Sequence, residues 1–105
     1  MNTNDLLNEL SQTGINEKAC LVLPPHRVEG ALCLTHEADG SWLVSLVERG
    51  DVVVKEYFNE QGPACRFFLK YVLSDPTYFK DFSMAGYEKL LEKSVKLLNQ
   101  YGFAP

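Results

Sequence analysis

The chain has little of what catalytic, membrane-spanning and nucleic-acid-binding proteins need. It holds only two histidines and three cysteines, and no apolar run approaches the roughly 20 residues that span a bilayer. Ten basic residues stand against fourteen acidic ones, a formal net charge of −4. This charge disfavours direct nucleic-acid binding, because phosphate neutralisation dominates that affinity. The N-terminal residues lack a basic start before an apolar stretch, so we expect a cytoplasmic protein without an export signal.

No cofactor or metal motif is present. The glycines form neither a GxxxxGK[ST] nor a GxGxxG loop, and they are scattered as turn residues. His26 and His36 have no second ligand at helical or CxxC spacing, so both are expected to lie at the surface or to anchor loops. We therefore expect no cofactor and no metal.

The cysteines indicate buried thiols. Cys20, Cys33 and Cys65 are odd in number, share no CxxC spacing and have apolar neighbours. A catalytic pair of Cys33 or Cys65 with His26 or His36 remains as an alternative. It would need a thiolate in an electropositive, partly exposed setting, which the acidic region around Cys33 does not offer. We expect that the protein is not an enzyme.

Length and patterning predict one α+β domain over residues 1–105. Apolar spacing predicts an N-terminal helix at about 3–12, capped by Thr3 or Asn4 and stopped at Gly14. A second helix follows Asn59 with Pro63 in its first turn and ends near residue 73. A last helix is predicted at about 84–100.

Strand signals fill the space between the helices. The turns at Asp39-Gly40 and Arg49-Gly50 are short, so they allow only antiparallel neighbours and predict a β-meander. The sheet is expected to have three to four antiparallel strands, with the C-terminal helices packed on one face and the N-terminal helix or a partner on the other. The strands are predicted at residues 19–23, 27–36, 41–48 and 51–58. The core aromatics are expected to be Trp42, Phe67, Phe68, Tyr78, Phe79, Phe82 and Tyr87.

Charge is distributed unevenly along the chain. Residues 29–60 hold seven acids against two bases, a net charge of −5, whereas residues 61–105 carry +2. One interpretation is that loop tips simply favour charge. The alternative is an electrostatic surface that steers and binds a basic partner. Its candidate residues are Glu29, Glu37, Asp39, Glu48, Asp51, Glu56 and Glu60.

Residues 41–75, SWLVSLVERGDVVVKEYFNEQGPACRFFLKYVLSD, resemble a known family pattern. Its features are a Trp-led strand, the turn Glu48-Arg49-Gly50, a strand ending in Phe58 and a helix opening with Ala64-Cys65. The pattern resembles bacterial immunity proteins of polymorphic toxin and contact-dependent growth inhibition systems. Gly62-Pro63 departs from it and predicts a later helix start.

The resemblance implies a non-catalytic cytoplasmic antidote. Such a protein binds the C-terminal domain of a toxin, often a basic nuclease, and occludes its active site or substrate surface. We expect a monomer or a weak dimer that binds neither nucleic acid nor membrane. The alternative is a small acidic chaperone of the type III secretion kind, which is usually dimeric.

Overall fold

The fold is that of a computed structural model, which describes residues 1–78 and residue 92. It confirms an α+β architecture with an N-terminal helix, a four-stranded sheet and a following helix. The last helix predicted at about 84–100 lies outside the described residues except for Glu92, as do Phe79, Phe82 and Tyr87. The elements are α1 (Thr3–Gln12), β1 (Cys20–Val22), β2 (Leu32–His36), β3 (Trp42–Glu48), β4 (Asp51–Phe58), α2 (Gln61–Leu73) and a 3₁₀ turn (Pro76–Tyr78).

The sheet has the order β1-β2-β3-β4 and is mixed. The meander β2-β3-β4 is antiparallel as predicted, but β1 pairs parallel with β2. The strand predicted at 27–36 was too long, because residues 27–31 belong to the loop that returns the chain to the start of β2. This crossover makes β1 and β2 run in the same direction. Leu23 N donates to Leu34 O at 2.8 Å and Leu32 N donates to Ala19 O at 2.9 Å, which ties the two strands at both ends.

The β3–β4 connection is a two-residue turn. Arg49 (φ +52°) and Gly50 (φ +82°) both adopt positive φ, the conformation that matches the right-handed twist of a tight hairpin. Beyond the turn the register shifts: Val52 pairs with Val47, and Val54 pairs with Leu46. Val53 is thus an extra residue on β4, a β-bulge.

The core lies on one face of the sheet. Trp42, Val44 and Leu46 of β3 point into it, as their alternation predicts. Helices α1 and α2 both contribute to the core on this face. Of the two covers expected for the opposite face, α1 or a partner, α1 was therefore wrong. The opposite face also contains buried side chains, among them Leu43 and Cys33.

Contacts between the helix starts explain where each helix begins. Asn2 caps α1 in a capping box with Asp5, in place of the predicted Thr3 or Asn4. Thr3 N donates to Gln61 Oε1 at 2.8 Å, so α1 supports the first turn of α2. Helix α2 begins at Gln61 with Glu60 as its N-cap residue, so the later start predicted from Gly62-Pro63 was wrong, as was Asn59 as its cap.

Candidate partner-binding surface

The seven candidate acids do not form one patch. Glu48 pairs with Asp51 at one end of the β3–β4 hairpin, and Trp42 pairs with Phe58 at the other. The seven residues of β3 separate these ends by about 20 Å. Glu29, Glu48 and Asp51 lie at the first end, and we call them the turn cluster. Glu37, Asp39 and Glu60 lie at the far end, with Glu56 on β4 between the two groups.

The turn cluster surrounds an open depression of about 760 Å³. Glu29 Oε1 accepts a hydrogen bond from Gly50 N at 2.7 Å, which joins the loop before β2 to the hairpin turn. Glu48 and Asp51 are exposed and paired across the hairpin. Among the described residues that line this depression, Arg49 is the one basic residue, beside three carboxylates.

A neighbouring depression of about 350 Å³ shares Glu48 and Val53 with the first and extends it toward α2. Tyr71, Asp75 and Tyr78 line its far side. Burial, with Asp75 and Glu48 nearby, raises the pKa of Tyr71 and Tyr78, so both phenols stay protonated as hydrogen-bond donors. The two depressions together form an acidic area with hydroxyl groups at its border.

Two of the three far-end acids, Glu37 and Asp39, have partners within the fold. Arg27 forms a salt bridge with Glu37. Asp39 Oδ1 accepts hydrogen bonds from Ser41 Oγ at 2.6 Å and Ser41 N at 2.9 Å. These bonds hold the pKa of Asp39 below its ordinary value, and the bond from the Ser41 hydroxyl has the largest effect. Both carboxylates stabilise the β2–β3 connection, so they are weaker candidates for partner contacts than the turn cluster.

Strand β4 supplies an apolar surface that sequence reasoning missed. Val52, Val53 and Tyr57 are 61%, 52% and 56% exposed. The three adjacent valines of β4 predict a strand, but β-propensity does not show whether that strand lies at the centre or at the edge of the sheet. The available signal was its place as the last strand of a meander, which puts it at a sheet edge. We call Val52, Val53, Lys55, Glu56 and Tyr57 the β4 edge surface.

A second apolar feature lies between α1 and β1. A groove of about 690 Å³ is lined mainly by aliphatic side chains, of which Leu7, Leu23 and Val28 are about half exposed. His26 is at its border. The groove was not predicted, because it depends on the return loop that the sequence pattern had assigned to a strand.

The thiols are buried and unpaired, as predicted. Burial raises the pKa of Cys65 to about 11 and that of Cys20 to about 12, which disfavours the thiolate that nucleophilic chemistry needs. His26 is exposed, and His36 is stacked on Trp42. Within residues 1–78 and residue 92, no three His, Cys, Asp or Glu side chains are grouped so as to hold a metal ion.

The comparisons with family models, curated proteins and solved structures give no match to this chain. In the part of the chain that the structure describes, no helix combines the length and the apolar character needed to cross a membrane.

Proposed function

We propose that this protein binds and neutralises a basic toxin domain, of the nuclease kind, through the turn cluster and the β4 edge surface. The observation that carries the proposal is that the turn cluster and the β4 edge surface are adjacent. Glu48 and Asp51 flank the turn from which β4 emerges, and the exposed Val52 and Val53 follow Asp51 directly. An apolar centre bordered by charged groups is the usual anatomy of a protein–protein interface.

Electrostatics favours a basic partner. A nuclease must hold phosphate, so its substrate surface carries Lys and Arg side chains. An acidic inhibitor that covers that surface gains complementary charge and a faster encounter. The immunity-protein resemblance of residues 41–75 includes the whole hairpin from Trp42 to Phe58, which carries every residue of the proposed surface except Glu29.

Co-expression with the toxin domain encoded by the gene immediately upstream tests the proposal. Wild-type protein should restore growth, and the double variant Glu48→Lys, Asp51→Lys should protect at least tenfold less well. Glu17→Lys is the control for charge reversal outside the turn cluster, because Glu17 is an exposed acid in the α1–β1 connection. The proposal is wrong if the upstream gene encodes no toxin domain and co-expression of this protein relieves no growth inhibition.

A further inference from the structure

We infer that the outer edge of β4 binds an extended, basic segment of another protein as an added strand of the sheet. The inference rests on the proposed function for the identity of that protein. Beyond that function, we specify that the partner recognises the backbone of β4. We also specify which stretch of β4 is used and which side chains the segment must present.

Among the strands of residues 1–78, β4 lies at an edge of the sheet. It is eight residues long, whereas β1 at the other edge has three. Within residues 1–78, β3 is the only strand that pairs with β4. An edge strand presents a row of backbone N–H and C=O groups to solvent, and an extended segment can pair with that row.

The bulge limits where pairing can occur. Val53 has no partner across β3, so the edge is irregular from the turn up to that residue. Residues 54–58 pair regularly with β3, from Leu46 opposite Val54 to Trp42 opposite Phe58. These five residues give a straight edge of about 17 Å, enough for a short strand.

A second copy of the chain fits this edge poorly. Two copies of β4 that pair antiparallel are related by a two-fold axis. The axis position that pairs all of residues 54–58 lies at Glu56. It sets Glu56 directly opposite Glu56 of the other copy. A shift of the axis to Lys55 sets two lysines opposite each other. Like charges directly opposite destabilise a strand pair, which disfavours the axis at Glu56, the one axis that pairs all five residues. An axis at Tyr57 avoids like charges but pairs only residues 56–58 of this stretch. The occupant is therefore a segment of a different protein, which can pair along the whole stretch.

The side chains of β4 define that segment. Val54, Glu56 and Phe58 pair with alternate residues of β3 and so share the core-side face. A strand added beside them places apolar side chains opposite Val54 and Phe58 and a basic side chain opposite Glu56. This apolar–basic–apolar pattern is the same in both strand directions. Lys55 projects from the other face, where its Nζ lies 5.7 Å from the centroid of the Tyr57 ring.

A defined peptide tests the inference without a toxin. The probe is acetyl-Thr-Val-Thr-Lys-Thr-Val-Thr-amide, titrated into ¹⁵N-labelled full-length protein. Amide shifts and slowed hydrogen exchange should concentrate at residues 54–58. A peptide with Glu in place of Lys should bind at least threefold more weakly. A peptide methylated at every backbone nitrogen should not bind, because it keeps the side chains but has no backbone N–H donor along the strand.

Charge reversal on the protein completes the test. Glu56→Lys should reverse the preference, so that the Glu peptide binds more tightly than the Lys peptide. Glu17→Lys, which changes the net charge equally, should keep the original preference. Equal binding of the methylated peptide, or shifts centred outside β4, would overturn strand addition. If cells are still protected in that case, the proposed function stands with another docking mode. If the peptide binds β4 but cells are not protected, strand addition stands and the proposed function fails.

Discussion

The imidazole of His36 lies flat on the indole of Trp42, with ring centroids 4.1 Å apart and planes 6° apart. The two residues are direct partners across β2 and β3. His36 Nε2 also lies 3.2 Å from Gly40 O, so the ring links the strand pair to its own turn. Trp42 is the only tryptophan in the chain, which makes this contact visible by fluorescence.

We predict that His36→Ala uncovers one face of the indole. The emission maximum of Trp42 should move to longer wavelength, and the free energy of unfolding should fall by about 1 kcal/mol, because a stacked cross-strand pair is lost. His36→Phe keeps a ring on the indole and serves as the control. An unchanged spectrum in His36→Ala would show that the stack does not shield Trp42.

The second prediction concerns the bond between Glu29 and Gly50. Glu29→Ala removes the acceptor from Gly50 N and should lower the free energy of unfolding by about 1 kcal/mol. Glu29→Gln keeps a side-chain oxygen, so its free energy of unfolding should fall by less than that of Glu29→Ala. Denaturant unfolding measures both variants. Equal losses in the two would mean that the carboxylate charge, and not the hydrogen bond, stabilises the turn.

The third prediction is a pH effect at Asp39. Hydrogen bonds from Ser41 depress the pKa of Asp39 in the folded state, so their stabilisation is present above the ordinary aspartate pKa of about 3.9. It is lost as the pH falls through the folded pKa. Ser41→Ala should raise the pKa of Asp39 toward its ordinary value, and Ser41→Thr should not. Carboxyl-carbon NMR titration gives the values, and no rise in Ser41→Ala would refute the assignment.

The fourth prediction concerns the buried thiols. The pKa of Cys65 rises to about 11 in the folded state, so the unfolded chain releases this proton first as the pH increases. Stability should therefore decline between about pH 9 and pH 11. Cys65→Ala should show a smaller decline than wild type when unfolding midpoints are compared across this range. Parallel declines in both proteins would exclude a contribution from Cys65.

The fifth prediction concerns oligomeric state. The like-charge clash at Glu56 opposes pairing of two β4 edges, so the protein should elute as a monomer of 11.9 kDa. Sizing with light scattering provides the measurement. An obligate dimer would contradict this expectation and would favour the chaperone alternative.

Local signals in the sequence predicted most of the elements. The bounds of α1 and β4 agree with the expected ranges, since helical spacing and the Arg49-Gly50 turn are strong local cues. The parallel pairing of β1 was missed, because the return loop carries Val28 and Ala31, which resemble strand residues. The start of α2 was missed because its support, the bond from Thr3 N to Gln61, is a tertiary contact.

The candidate surface was predicted only in part. The charge count identified Glu48 and Asp51 but could not separate them from Glu37 and Asp39, which lie at the far end of the sheet. The strand register determines which acids lie at which end of the sheet, and the order of charges along the sequence does not reveal that register. Exposure of the β4 valines likewise depends on the position of β4 at the sheet edge.

The most direct test of the central claim is an inhibition titration against the purified product of the gene immediately upstream, which the proposal expects to be a toxin domain. Wild-type protein should abolish its activity at a one-to-one ratio. Glu48→Lys with Asp51→Lys should raise the inhibition constant at least tenfold, a loss of at least about 1.4 kcal/mol in binding. Glu17→Lys should inhibit like wild type. Full inhibition by the double variant, or no inhibition by wild type, would contradict the account.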